Sequence, residues 1–191
     1  MEKAAEIIDF WFLPRDAEGY LKSRKEWWIK SDTFDQEIKD KFGDIVEEAV
    51  AGTLEASWKA TPQTALAHII CLDQFTRNIF RGTAKAWAGD ERALRCAQEM
   101  IQSGQVSSLP QRMQAFAFMP LMHAESLESQ DQSVDCFTAL AQLDEQVDFV
   151  GFAEKHRDVV RLYGRFPSRN VPLGRESSPA ELEYVAAGGG F

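Results

Sequence analysis

The chain has 191 residues and is 45% hydrophobic, which predicts one domain over residues 1–191 with a sizeable buried core. Its net charge of -9 argues against nucleic acid or an anionic membrane as a partner, because the long-range field repels phosphate. No apolar run approaches the roughly twenty residues that span a bilayer, and no secretory leader is recognisable, so a cytoplasmic protein is expected.

Apolar residues recur at three- and four-residue intervals along almost the whole chain, and no alternating strand pattern of useful length occurs. This periodicity predicts an all-α fold of eight or nine helices with short connections. We expect helices near residues 2–13, 31–52, 61–82, 84–103, 108–126, 131–142, 147–163 and 178–187.

Three helix starts are predicted by a capping residue followed closely by proline. They lie at Thr61–Pro62, at Ser108 with Pro110, and at Ser178–Pro179 with Glu181 in a capping-box position. The last of these helices should be short and end before a Gly-rich tail, residues 188–191.

Cysteine and aromatic residues fall mostly within the apolar pattern. Cys71, Cys96 and Cys136 are odd in number and far apart, which favours reduced core thiols over disulfides. The clusters FWF at 10–12 and WW at 27–28 fit either core packing or the wall of a pocket.

The string LDQFTRNIFRG (72–82) places polar side chains at helical spacing between apolar ones. These polar residues are Asp73, Gln74, Arg77, Asn78 and Arg81. One interpretation is a helix end in which Arg77 pairs with Asp73 four residues earlier and Gly82 ends the helix. The other is a polar binding site.

A second string, HRDVVRLYGRFPSRNVPLGR (156–175), is strongly basic although the chain is acidic. Arg157, Arg161 and Arg165 recur every fourth residue, and Arg169, Asn170 and Arg175 follow on a predicted loop. Arginine forks suit carboxylate or phosphate, and asparagine adds a neutral donor and acceptor. Either an anion site or an ion-paired structural clamp explains this pattern.

The histidines and the missing cofactor motifs limit the kinds of reaction that we expect. His68 lies on an apolar helix and is expected to be a satisfied core residue, whereas His123 has Glu125 two residues further on and is a candidate proton carrier. The sequence HAE lacks the P-C-x-x-C partner of a zinc deaminase, and no phosphate-binding glycine motif occurs, so we expect neither metal nor cofactor.

Taken together and in order, IIDFWF, LDQFTRNIFRG, PLMHAES and HRDVVRLYGRFPSRNVPLGRES resemble the bacterial family called domain of unknown function 924. The resemblance extends from Ile7 to Phe191. It implies a tetratricopeptide-like right-handed stack of antiparallel helical hairpins with a concave surface, although no 34-residue repeat is detectable in the chain. The family's activity is not established.

The resemblance also assigns family motif positions to residues of all three polar strings. They are Asp73, Gln74, Arg77, Asn78, Arg81, His123, Glu125, Gly164, Arg165, Phe166, Pro167, Arg169, Asn170, Gly174 and Arg175. The family pattern reads HSE where this chain has Ala124, and FPHRN where it has Ser168. The second difference removes a candidate acid or base, while a site built on Arg and Asn survives it.

These observations predict a pocket that holds a small anionic ligand and leave catalysis open. Its expected binding residues are Asp73, Gln74, Arg77, Asn78, Arg81, His123, Arg165, Arg169, Asn170 and Arg175. In this hypothesis Glu125 positions His123, and these two residues are the catalytic candidates. The alternative is a tetratricopeptide-like scaffold that binds acidic peptide segments. The oligomeric state is left open.

Overall fold

The computed structural model describes residues 2–190, and over that range the chain forms helices and turns without a β-strand. The α-helices are α1 (Glu2–Phe12), α2 (Asp32–Ala51), α3 (Glu55–Trp58), α4 (Pro62–Ile69), α5 (Thr76–Ile79), α6 (Asp90–Gln102), α7 (Gln111–His123), α8 (Leu127–Leu143), α9 (Val150–Tyr163) and α10 (Pro179–Ala186). A π-helical turn, Ile70–Phe75, joins α4 to α5 in one continuous helix. The described residues therefore contain nine separate helices, and the all-α prediction is confirmed.

Several helix ends form where the capping chemistry predicts them. The Ser31 hydroxyl accepts a hydrogen bond from the Phe34 amide at the start of α2, and Gly52 ends that helix in the left-handed conformation. Thr61 and Ser178 each form a capping box at the starts of α4 and α10. Residue 191, the last of the predicted Gly-rich tail, lies outside the described residues.

The predicted helix at 84–103 is shorter at its start than expected. Residues Ala84–Trp87 form a 3-10 turn, and α6 begins only at Asp90. Gly89 lies between this turn and α6 and packs against the π turn. A Cβ atom on Gly89 would be 2.3 Å from the carbonyl oxygen of Leu72. This close backbone approach fixes the start of α6 and thereby the position of Asp90.

Two other boundaries differ from the prediction. Ser108 does not cap α7: it belongs to the 3-10 turn Gln105–Ser108, and its hydroxyl donates to the Gln105 carbonyl. Helix α8 begins earlier than residue 131, because Ser126 accepts a hydrogen bond from the Ser129 amide and acts as its N-cap. Sequence spacing alone did not distinguish these local uses of serine.

Most of the core is one large cluster of buried side chains from α1 to α4, the π turn and α6 to α9, and a smaller cluster is formed by Val159, Val160 and Phe166. Trp11 and Phe12 are almost completely buried and pack edge-to-face on Phe116 of α7. Trp27 is also buried, but its neighbour Trp28 is 48% exposed. Core packing therefore holds for Trp11, Phe12 and Trp27, whereas Trp28 lies at the surface.

Consecutive helices α7, α8 and α9 pack against one another through short connections, as antiparallel neighbours do. Helix α1, by contrast, packs on α4. The right-handed tetratricopeptide-like stacking stays a prediction. No helix of residues 2–190 has both the length and the apolar character required to cross a bilayer.

Buried polar residues in the core follow the predictions in part. All three cysteines are free, and burial raises their thiol pKa values, to about 12 for Cys96 and about 11 for Cys136. His68 is buried as predicted, but neither ring nitrogen has a hydrogen-bond partner among the described residues. Burial accordingly lowers its pKa to about 4.

Candidate functional site

The first polar string lies on the helix that contains the π turn. A π turn accommodates an extra residue and is common at functional sites, because it changes which side chains face the interior. Asp73, inside this turn, is completely buried. Arg77 lies in the first turn of α5, and its Nη1 lies 3.4 Å from Asp73 Oδ1. The predicted Asp73–Arg77 pair therefore forms, but in the interior.

Asp73 also binds the last residue of α7. His123 Nδ1 is 2.8 Å from Asp73 Oδ1, and Gln74 Nε2 donates to Oδ2 over 2.7 Å. Burial alone raises the Asp73 pKa, but His123, Arg77 and the hydrogen bonds outweigh it and hold that pKa well below its usual range. Because an ionised carboxylate only accepts, Nδ1 carries the proton, and in the neutral ring Nε2 is an acceptor.

Asp90, the first residue of α6, connects the polar string 72–82 with the basic string 156–175. Its Oδ2 accepts hydrogen bonds from Arg77 Nη2 and from Arg169 Nη1, each over 3.1 Å. Arg169 also donates through Nη2 to the His123 carbonyl over 3.0 Å. Two arginines that are far apart in sequence therefore share one carboxylate beside His123.

Burial dominates the electrostatics of these groups. It lowers the pKa of Arg169 to about 10, and the neighbouring Arg77 charge adds to this effect. Burial likewise raises the pKa of Asp90, although Arg77 opposes the increase. Because the Asp90 carboxylate also binds Arg77, it neutralises the Arg169 charge only partly.

These side chains border a cavity of about 300 Å³. It is lined by Arg77, Arg81, Gly82, Ala86, Trp87, His123, His156, Phe166 and Arg169. The Arg169 guanidinium lies 4.6 Å from the centre of the Phe166 ring and 5.7 Å from that of Trp87. These aromatic faces hold the guanidinium at the cavity wall.

Arg81 reaches the cavity from the end of the first string. Its Nε and Nη2 donate to the two carboxylate oxygens of Asp35 on α2, over 2.9 and 3.0 Å, and Asn78 donates to the same carboxylate over 2.7 Å. Asn78 itself does not line the cavity. Asn78 and Arg81 therefore anchor the end of this helix on α2, and the Arg81 side chain remains 42% exposed beside the cavity.

A second cavity, of about 470 Å³, adjoins the first. Its walls are mainly aromatic and thioether side chains. It shares Arg77, His123 and His156 with the first cavity, which we call the basic cavity because arginines line it. His156 Nδ1 donates to the Phe152 carbonyl, and burial together with the nearby His123 lowers the His156 pKa to about 3. His156 is consequently a neutral ring at pH 7.

The remaining residues of the second string form a clamp away from the cavity. Arg165 binds both carboxylate oxygens of Glu181 over 2.6 and 2.9 Å, and Arg175 binds those of Glu125 over 2.6 and 3.0 Å. Asn170 is completely buried and accepts from Arg175 Nε. These contacts attach the loop and α10 to the end of α7, so the predicted structural clamp forms at Arg165 and Arg175, and the anion site stays a prediction for Arg169.

The expected pairing of Glu125 with His123 is wrong. Glu125 accepts from Arg175 and from the Phe166 amide, whereas the orienting carboxylate of His123 is Asp73. The backbone turns after His123, so residues two apart there point in different directions. Burial raises the pKa of Glu125, but the bonds from Arg175 and Phe166 bring it below its usual value.

Sequence reasoning missed two polar residues of the site, Asp90 and His156. Asp90 resembles an ordinary acidic residue in the first turn of a helix, and only the Gly89 contact with Leu72 brings it to Arg77 and Arg169. His156 begins the basic string, and its position one turn after Phe152 on an amphipathic helix was the available signal.

Comparison with known proteins agrees with this architecture. The model of the family described as "Bacterial protein of unknown function (DUF924)" matches residues 7–189. The chain belongs to this family. A solved structure of a protein of unknown function from Agrobacterium tumefaciens is 34% identical, with a TM-score of 0.84, and the alignment covers 97% of this chain and 98% of that one. No curated protein matches the chain.

Proposed function

We propose that this protein binds a small anion, a carboxylate or a phosphate, in the basic cavity, and that His123 supplies a proton to the bound state. The single observation that supports this function is the convergence of Arg77 and Arg169 on one oxygen of Asp90 at a cavity wall. Buried guanidinium groups that share one carboxylate at a cavity wall are suited to forked recognition of an anion.

The charge balance of the cavity explains why a proton enters the proposal. Three arginines, Arg77, Arg81 and Arg169, face three carboxylates, Asp35, Asp73 and Asp90, so the set is neutral while the histidines are neutral. A monoanion therefore adds an uncompensated charge in a poorly solvated place. A proton taken up at His123 Nε2 restores neutrality.

His123 is the group that can accept this proton. The charged groups that face it are Asp73 from the π turn, Arg77 from α5, Asp90 from α6 and Arg169 from the 3-10 turn after α9. Asp73 fixes the tautomer, so Nε2 is the free basic position of the neutral ring, and it has no hydrogen bond within residues 2–190. A group that receives and returns a proton beside a bound anion also supports catalysis, which the proposal leaves open.

Isothermal titration calorimetry tests both parts of the proposal. Phosphate, acetate and citrate are titrated at pH 7 in two buffers with different ionisation enthalpies, and the difference in heat gives the protons taken up. We expect binding of at least one anion, accompanied by proton uptake. The His123→Asn variant retains a donor for Asp73, and in it the proton uptake should disappear. Absence of binding by all three anions and by a wider panel of phosphorylated metabolites would refute the proposal.

An acidic-peptide scaffold has less support as the function. The loop arginines that would recognise an acidic segment, Arg165 and Arg175, already have bidentate carboxylate partners within the chain. The proposed setting is cytoplasmic, where three free cysteines stay reduced.

A further inference from the structure

The two adjoining cavities have opposite chemistry. The basic cavity presents guanidinium groups. Its neighbour is lined, in addition to the residues that the cavities share, by one amide side chain, Gln74, and by six aromatic and thioether side chains, Trp27, Trp28, Met119, Met122, Phe149 and Phe152. Three side chains, Arg77, His123 and His156, border both. A molecule held at this border would contact the arginines of the basic cavity and the apolar side chains of the second cavity at the same time.

The aromatic residues at the outer edge of the second cavity are unusually open to solvent. Trp28 is 48% exposed and Phe152 is 56% exposed, while Phe149 lies between them, with ring centroids 5.5 Å from Trp28 and 6.5 Å from Phe152. Isolated exposed apolar residues are ordinary, but three neighbouring rings around a cavity beside polar groups are typical of a ligand site.

The neutral state of His156 supports an apolar occupant for this cavity. Its ring lies 6.1 Å from that of His123, and burial keeps it uncharged at pH 7. Of the shared side chains, Arg77 has its guanidinium held by Asp90 and Asp73 on the basic side. The second cavity thus offers little to a charged group and a large contact area to a hydrocarbon or aromatic one.

From this juxtaposition we propose that the ligand is amphipathic: an acyl or aryl carboxylate or phosphate whose anionic head occupies the basic cavity and whose apolar body occupies the aromatic one. This proposal rests on the function proposed above. It adds the class of ligand, because a head group alone leaves the aromatic cavity unfilled. Together the two cavities have a size typical of sites for small molecules and cofactors.

A matched ligand series tests the proposal on the full chain. Affinities are measured by calorimetry and by tryptophan fluorescence for acetate, hexanoate, phenylacetate and indole-3-acetate, and for phosphate and phenyl phosphate. Indole serves as the neutral body without a head group. We expect each apolar body to improve affinity at least about tenfold over its head group alone, because burial of a ring removes a large apolar area from water.

Four variants distinguish the parts of the site. Phe152→Ala, at an exposed position, should remove most of the affinity that the apolar body of the ligand adds, and it should leave the affinity for acetate unchanged. Leu162→Ala, on the same helix and 72% exposed, is the matched control and should change neither. Arg169→Lys should lower the affinity for every anion in the series. Arg169→Gln is a second variant that tests binding of the anionic head group if the lysine variant does not fold.

The outcomes separate this inference from the function on which it rests. If acetate binds as tightly as phenylacetate and Phe152→Ala has no effect while Arg169→Lys weakens both, the amphipathic class is wrong and the anion site stands. If indole binds as tightly as indole-3-acetate and the Arg169 variants bind normally, the anion site is wrong. If no member of the series binds, both proposals are refuted.

Discussion

Asp90 is the residue whose removal tests the site most directly. Its carboxylate is 3.0–3.1 Å from nitrogens of Arg77 and Arg169, whose side chains are only 22% and 12% exposed. The substitution Asp90→Asn keeps the shape and one acceptor oxygen but leaves two buried guanidinium groups without their shared counter-ion. Stability should therefore fall while attraction for an anion rises.

The size of the loss follows from the burial of the three groups. Breaking a buried ion pair by removing one partner costs about 3–5 kcal/mol. Asp90 is 21% exposed and the amide oxygen still accepts one hydrogen bond, so we expect about 2–4 kcal/mol for Asp90→Asn. For a chain of this length that corresponds to a decrease in Tm of about 4–16 °C.

Thermal denaturation followed by circular dichroism, with and without phosphate, measures both effects. In the variant, phosphate replaces the missing negative charge, and tenfold tighter binding adds about 1.4 kcal/mol, or about 3–5 °C, to its Tm response. The matched control is Glu47→Gln, which removes the same charge from an exposed pair with Lys85 and should cost under about 1 kcal/mol. An Asp90→Asn protein within 1 °C of wild type, or an equal phosphate response in all three proteins, would falsify this reasoning.

Three further predictions concern stability. Burial depresses the folded-state pKa of His68 to about 4 and of His156 to about 3, so the unfolded chain binds more protons and stability falls as pH falls from about 6.5 towards 4. From pH 7 to pH 5 each histidine costs about 2 kcal/mol, and His68→Leu should halve this slope in urea titrations. Gly89→Ala should cost about 2–3 kcal/mol in the same assay, because its Cβ meets backbone atoms of Leu72. Arg165→Ala leaves the buried Glu181 carboxylate without its cation, so amide hydrogen exchange in α10 should accelerate and Tm should fall by several degrees.

Each of these predictions has a control or an opposing outcome. A His68→Leu protein with the wild-type pH slope would show that burial does not depress this histidine. Gly151→Ala, in α9 where no atom lies within 4 Å of the new methyl group, should be neutral or stabilising by up to about 1 kcal/mol. Unchanged hydrogen exchange in α10 of the Arg165→Ala protein would contradict the clamp.

The helical class and several helix starts could be predicted from local patterns in the sequence. Apolar periodicity and capping residues are local properties, so Ser31, Thr61 and Ser178 start helices where the pattern predicts them. The two basic strings were also recognisable, because a local excess of arginine in an acidic chain is visible without a structure. The sequence located Arg77, His123 and Arg169 as candidates in this way.

Only the tertiary structure decided how these candidates are used. Asp90 is brought to Arg77 and Arg169 by the contact of Gly89 with Leu72, which is a packing event between residues distant in sequence. The same holds for His123, whose partner is Asp73 from another helix rather than the nearby Glu125.

Arginines of one string were likewise divided by packing between a cavity wall and a clamp. Arg169 lies over Phe166 at the cavity, while Arg165 and Arg175 find carboxylates that the fold places beside them. Sequence spacing specifies which residues share one face of one helix, but a charge's partner depends on which faces of different helices meet. The sequence therefore determined the chemical groups available, and helix packing decided which of them form the site.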